Sequence, residues 1–154
     1  MYRRIVIPLD GSKLAEAALP QASDLARLTG APIHLVCVID EMRLGRYSGP
    51  SGLALGRAAL EILFSDEKAE AATYLDEVAA RLKTSGQIVD SEVRLGYVAR
   101  EIVAATRPDD LLVMASHGRG GLSRWLIGSV AEDVLRHGSA PVLLVKASAE
   151  SSQG

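Results

Sequence analysis

Apolar residues along this chain fall into two alternating kinds of run. Ile5-Val6-Ile7-Pro8-Leu9, Ile33 to Ile39, Leu111 to Ala115 and Pro141 to Lys146 are short and nearly unbroken, as in strands covered on both faces. Longer stretches with helical spacing lie between them. Ser12 suits an N-cap, and Leu14, Ala18, Ala22, Leu25 and Ala26 then recur on one face until Gly30 and Pro32 stop the helix. Pro20 lies well inside that stretch, where it kinks or divides the helix, at about 3 kcal/mol if nothing compensates. A later helix follows Leu60, Ala71, Leu75, Val78, Ala79 and Leu82 to the stop at Gly86. Another carries Val98, Ile102 and Ala105 on one face and runs to Arg107, before Pro108. The last spans Ser129 to about His137 and ends at Gly138.

The third strand differs. Val89, Ser91, Val93 and Leu95 alternate with Asp90, Glu92 and Arg94, which predicts one wet face and a place at a sheet edge. Between Asp40 and about Ala58 the pattern dissolves into glycines, serines and Pro50, an expected flexible insertion over 40–58. Five strands alternating with four helices predict an α/β fold, an open parallel sheet with helices on both faces. Ligands in such sheets bind beyond the carboxyl ends of the strands, where the strand order reverses. Asp10 and Gly118 both fall at that edge.

The stretch from Leu111 to Val145 carries the candidate chemistry: a buried strand, a basic glycine-rich loop, a helix opening at Gly128-Ser129, and a second apolar strand. Glycine lets a ligand approach the backbone, and the first turn of a helix leaves N–H donors unpaired with a partial positive charge. The layout suits a phosphate.

Composition adds mainly exclusions. The 154 residues suit a single domain over 1–147 followed by a disordered tail, 148–154. With 17 basic and 19 acidic residues the net charge is -2, so no basic footprint argues for nucleic acid. No apolar run reaches 18 residues and no signal-like region opens the chain, so no membrane partner and a cytoplasmic location are expected. The single Cys37 lies in an apolar run and reads as a small buried hydrophobe. His117 has no acid partner at a recognisable spacing, while His34 and His137 read as strand and helix-end residues; no metal triad is evident.

From Ile5-Val6-Ile7-Pro8-Leu9-Asp10-Gly11-Ser12 to Pro141-Val142-Leu143-Leu144-Val145 the chain resembles the universal stress proteins, an adenine nucleotide alpha hydrolase-like fold. The family's ATP-binding pattern is glycine, two residues, glycine, nine residues, then glycine and Ser or Thr. Here it reads Ala115-Ser116-His117-Gly118, nine residues, Gly128-Ser129, with Ala115 as the departure. The resemblance implies strand order 3-2-1-4-5, adenine nucleotide (ATP, AMP or ADP, with or without Mg²⁺) as ligand, and a homodimer paired through strand 141–146. The fifth strand would otherwise be an exposed apolar edge, an aggregation hazard.

By the same resemblance Gly118, Gly128 and Ser129 contact phosphate, and Asp10 and Val38 contact the adenosine end. Pro8 and Met114 form pocket wall by the same resemblance; Ala115, at the pattern's first position, Arg119 and Val130 are the other candidate nucleotide-binding residues. Gly128-Ser129 read without the resemblance is a helix cap, Asp10 a turn residue and Val38 strand core. Arg119 and Arg124 suit phosphate oxygens or solvent, and Trp125 suits the nucleotide or a packing contact. Ala115 puts tightness in question if its position needs close approach or positive φ.

There is no G-x-x-x-x-G-K-[ST], and Gly118 to Ser123 ends in Ser and follows the fourth strand, so neither a motor-type NTPase nor a dinucleotide dehydrogenase is supported. An adenylating enzyme would need more glycines than Pro8 to Ser12 provide. The sequence therefore reads as a nucleotide-binding stress-response regulator with an unknown protein partner, in which nucleotide orders the Gly45 to Gly56 segment. A nucleotide-free dimeric interaction module and a weak ATPase without a placed general base are the alternatives.

Overall fold

The structure, a computed structural model, describes residues 1–45, 57–116 and 127–147. Within them the chain runs β1 (Ile5–Pro8), α1 (Lys13–Glu16), α2 (Leu19–Thr29), β2 (Ile33–Asp40), α3 (Glu41–Gly45), α4 (Arg57–Lys83), β3 (Val89–Gly96), α5 (Val98–Ala105), β4 (Leu111–Ser116), α6 (Ser129–His137) and β5 (Val142–Lys146). The strands form one parallel sheet in the order β3-β2-β1-β4-β5, as the resemblance implies.

Alternation along the strands explains their unbroken apolarity, because neighbouring residues enter different cores. Ile5, Ile7, Leu35, Cys37 and Val113 pack with Ala22 of α2 and Leu75 and Val78 of α4. Val6, Val36, Leu112 and Met114 pack with Ile102 of α5 and with Ala131 and Val134 of α6. At 27 residues, α4 is about 40 Å long, whereas the eight-residue strands β2 and β3 beneath it span about 26 Å. Its C-terminal half supplies the buried residues and its N-terminal half overhangs the carboxyl edge of the sheet.

Pro20 divides the first helix rather than kinking it. α1 ends at Glu16, and Pro20 falls in the first turn of α2, where its missing N–H has no intrahelical partner to lose. The expected penalty is thereby avoided. Two other boundaries correct the sequence reading. The 40–58 stretch is helical at Glu41–Gly45 and again from Arg57, while 46–56 lie outside the described residues, as does the 148–154 tail. α5 stops at Ala105, short of Arg107, because Thr106 is extended and its hydroxyl donates to the Ile102 carbonyl (2.7 Å).

β3 is an edge strand, but the face carrying Asp90, Glu92 and Arg94 is not simply wet. Buried His34 of β2 places Nδ1 2.6 Å from Asp90 Oδ1 and Nε2 3.1 Å from Glu92 Oε1. Arg94 donates to Glu92 (3.2 Å) and to Glu101 of α5 (2.8 Å), so both charges are half-buried under that helix. Burial is the largest single influence on Glu92 and raises its carboxyl, but His34 and Arg94 together outweigh it and hold the group below its ordinary value.

At the amino end of the sheet, Asp110 is completely buried and accepts from Arg4 Nη2 (2.7 Å), Arg4 Nε (3.2 Å) and the Arg107 N–H (2.9 Å). Burial alone raises its pKa, but Arg4 and the Arg107 N–H outweigh that and hold it below the usual carboxylate range. A depressed folded pKa means stability that is complete above the unfolded value of about 4 and is lost as pH falls through the folded one. Asp110→Ala is expected to cost about 3 kcal/mol at pH 7, by leaving Arg4 half-buried and unpaired, and to flatten the acid limb of the stability curve. Urea denaturation between pH 7 and pH 3 reads both effects.

Candidate functional site

β1 and β4 part company partway along their length, and the site opens where they do. Their pairing covers only Ile5↔Leu111 and Val6↔Leu112, although β4 continues beside β5 to Ser116. Odd-numbered amides of β1 serve β2: the Ile5 N–H donates to the Pro32 carbonyl (2.9 Å) and the Leu9 N–H to that of Val36 (2.8 Å). Even-numbered ones therefore face β4, and there Pro8 has no N–H to give. The ladder stops at the proline, and a cleft of about 690 Å³ occupies the carboxyl edge beyond it.

On one side the cleft is bounded by the turn after β1. Asp10 Oδ1 accepts from the Ser12 N–H (2.9 Å) and hydroxyl (2.6 Å), and Ser12 Oγ in turn accepts from the Ala15 N–H (3.1 Å), capping α1. Gly11 between them has φ +84°, a conformation that favours glycine. Asp10 is thus a turn residue through one oxygen, while Oδ2 has no hydrogen-bond partner among the described residues. Across the cleft, Gly128 has φ 88° and ψ 142°, which in practice only glycine adopts, and it precedes α6 with no side-chain cap. The first intrahelical acceptor is the Gly128 carbonyl, taken by the Glu132 N–H (2.9 Å). The amides of Ser129, Val130 and Ala131 are left without acceptors among the described residues, an outward set of donors at the positive end of a helix.

Which face each residue takes follows from its place along the strand. Val38 and Met114 pack with the α5–α6 core, and Pro8 shares that face with Val6. Pro8, Val38, Met114 and Val130 thus line one wall of the cleft. Ala115 turns to the other face, packs against the α2–α4 core and pairs with Val145 in a regular strand. No described residue other than glycine has positive φ, so its methyl strains no backbone. Gly118 and Arg119, with His117, Arg124 and Trp125, lie outside the described residues.

Cys37 and Tyr74 also border the cleft, on the α1–α4 side, with Glu67, Glu70 and Ala71 of α4. Burial, then the Asp10 charge, pushes the Cys37 thiol up, which keeps it protonated. Burial likewise raises Tyr74, with Glu16 and Asp10 adding to it, and its hydroxyl is sealed from solvent without a partner among the described residues. Sequence reasoning passed over Tyr74 because it shares the helical stripe of Val78 and Leu82 and reads as core. Among the described residues no group of three His, Cys, Asp or Glu could hold a metal ion. Nor is any helix long and apolar enough to cross a membrane.

The sequence profile of the universal stress protein family matches residues 1–146. The chain belongs to that family. Two relatives come from Methanocaldococcus jannaschii. Universal stress protein MJ0531 is 34% identical over 95% of this chain and 83% of its own length, and MJ0577 is 30% identical over 95% and 96%. The solved structure of MJ0577 superposes with a TM-score of 0.77, covering 96% of this chain and 98% of the other at 29% identity. A universal stress protein from Archaeoglobus fulgidus, solved in complex with dAMP, shares the fold at 22% identity, with a TM-score of 0.62 and coverage of 94% and 98%.

In this universal stress protein the start of α6 depends on glycine at 128. Gly128→Ala is expected to cost about 1–3 kcal/mol of stability because of its φ, whereas Ser129→Ala, at an exposed side chain that caps nothing, stays within about 0.5 kcal/mol of wild type. Chemical denaturation of the two variants checks the contrast.

Proposed function

We propose that this universal stress protein is an adenine-nucleotide-binding regulatory protein that works as a homodimer. The observation that carries the reading is the set of unpaired amides at the start of α6, set across a cleft from a carboxylate with one free oxygen, beside an apolar wall. The three parts match the three parts of a nucleotide. The amides of Ser129, Val130 and Ala131 suit phosphate. Pro8, Val38 and Met114 suit the base, and Asp10 suits a ribose hydroxyl. Gly118, from the family pattern, and Arg119, whose guanidinium suits phosphate oxygens, are proposed to complete the phosphate contacts. ATP, ADP and AMP share these features, and Mg²⁺ would be held mainly through phosphate oxygens, since the described residues supply no ligand set of their own. Among the described residues Asp10 is tied into the turn through Oδ1 by Ser12, and the Cys37 thiol stays protonated, which favours binding over hydrolysis. Binding rather than hydrolysis is therefore the function proposed.

Titration calorimetry with ATP, ADP and AMP, with and without Mg²⁺, tests this directly. At about a thousandfold excess over Kd the nucleotide should stabilise the fold by roughly 4 kcal/mol; no heat and no thermal shift at millimolar nucleotide would sink the proposal.

β5 supports the dimer. Among the described residues it pairs only with β4, and along it Leu143 is exposed while Val142, Leu144 and Val145 are half-buried. An apolar edge of this kind is stable when a second strand covers it, and a second copy of β5 is the occupant proposed. Leu143→Lys is expected to shift the protein from dimer to monomer in sedimentation velocity while leaving its circular dichroism spectrum unchanged.

A further inference from the structure

Asp40 ends β2 at the carboxyl edge of the sheet and lines the cleft. Along that strand Val38 and Asp40 are half-buried while Ile39 between them is buried. The two therefore share the face of the apolar wall, with the carboxylate about 7 Å further along than Val38. Asp40 Oδ1 accepts from the Met42 N–H (3.0 Å), which sets the turn into α3. Its Oδ2 has no hydrogen-bond partner among the described residues and is not sealed from solvent, so a ligand in the cleft has access to it.

Strand order decides which part of a nucleotide meets that oxygen. β4, β1 and β2 are consecutive in the sheet, at a spacing of about 4.8 Å. The unpaired amides belong to α6, which packs on β4; Asp10 follows β1; Asp40 ends β2. With phosphate at α6 and ribose at Asp10, the base lies over β2, and its edge remote from the sugar meets the rim of that strand. In a purine that edge carries the 6-substituent, an amino group with two donors in adenine and a carbonyl acceptor in hypoxanthine and guanine. A carboxylate only accepts.

We propose that Asp40 is a specificity-determining residue for the base, its Oδ2 accepting from the 6-amino group of adenine and opposing the 6-carbonyl of hypoxanthine or guanine. The assignment rests on the nucleotide reading above and makes the cleft selective for 6-aminopurines. It also separates two uses of one side chain. Asparagine serves a turn of this kind as well as aspartate does, whereas only a carboxylate offers the base an acceptor with no donor beside it.

The test sets three ligands against two proteins. AMP, IMP and purine riboside 5′-monophosphate, which has hydrogen at position 6, are titrated calorimetrically into wild type and Asp40→Asn. Wild type is expected to bind AMP about tenfold or more tightly than IMP, with purine riboside monophosphate between them. Asp40→Asn keeps an oxygen for the Met42 N–H and offers its NH2 to the base, so the AMP-to-IMP preference should fall by about tenfold. Losing a negative charge beside an anionic ligand raises the affinity for all three alike, so the ratio is the readout. A ratio within about twofold of wild type, or no preference in wild type, overturns the assignment while leaving nucleotide binding standing. Wild type that binds none of the three overturns nucleotide binding and the assignment together. Thermal melting shows whether the variant is folded. Should it fail to fold, wild type labelled with ¹³C at aspartate Cγ gives an independent answer by NMR. The Asp40 signal should move with AMP and stay in place with purine riboside monophosphate, and equal shifts with the two overturn the assignment.

Discussion

The site depends on the point at which β1 stops pairing with β4. A parallel ladder continues for as long as both strands supply donors, and Pro8 withdraws the one that faces β4. On its other side β1 keeps pairing with β2 as far as Pro8↔Val36, and the Leu9 N–H still reaches the Val36 carbonyl. The sheet is therefore continuous on one flank of β1 and parted on the other. A single imino acid thus opens a crevice at the reversal of strand order without weakening the strand that holds both cores together.

Side-chain parity then distributes the chemistry. Because the sheet is covered on both faces, each residue at its carboxyl edge belongs to one core or the other. Pro8, Val38 and Met114 fall on the α5–α6 side and make a smooth wall, while Cys37, Tyr74 and Ala115 fall on the α2–α4 side. Alanine in place of the family's glycine at 115 looks like an obstruction when read as a motif. On the strand its methyl lies on the α2–α4 side, half-buried against that core at the border of the cleft.

Much of this was legible in the sequence because the same residues that set the elements also set the site. Unbroken apolar runs gave doubly covered strands, alternation over Val89 to Leu95 placed β3 at an edge, and Gly128-Ser129 marked a helix start with free amides. What the periodicity could not convey was of two kinds. Tyr74 sits on the core stripe of α4, so its polar end is invisible to any pattern of apolar positions. The wet face predicted for Asp90, Glu92 and Arg94 was wrong in part because a pattern does not see across strands: His34 on β2 and Glu101 on α5 come from far away in sequence to meet those charges. Pro20 shows the converse, a residue that looks disruptive in a string and is harmless once the chain has placed its helix boundary beside it.

The length of α4 has a mechanical consequence. The half that carries Leu75, Val78, Ala79 and Leu82 is clamped in the core, and the same continuous rod carries Glu67 and Glu70 out to the cleft. A wall built on a loop can be pushed aside by local bending, whereas a wall built on a cantilevered helix moves only by tilting its clamped end. The width of the cleft on that side is therefore tied to the packing of the buried residues further along α4. Core substitutions beneath the C-terminal half of α4 act on the cleft as a change in the seating of a lever.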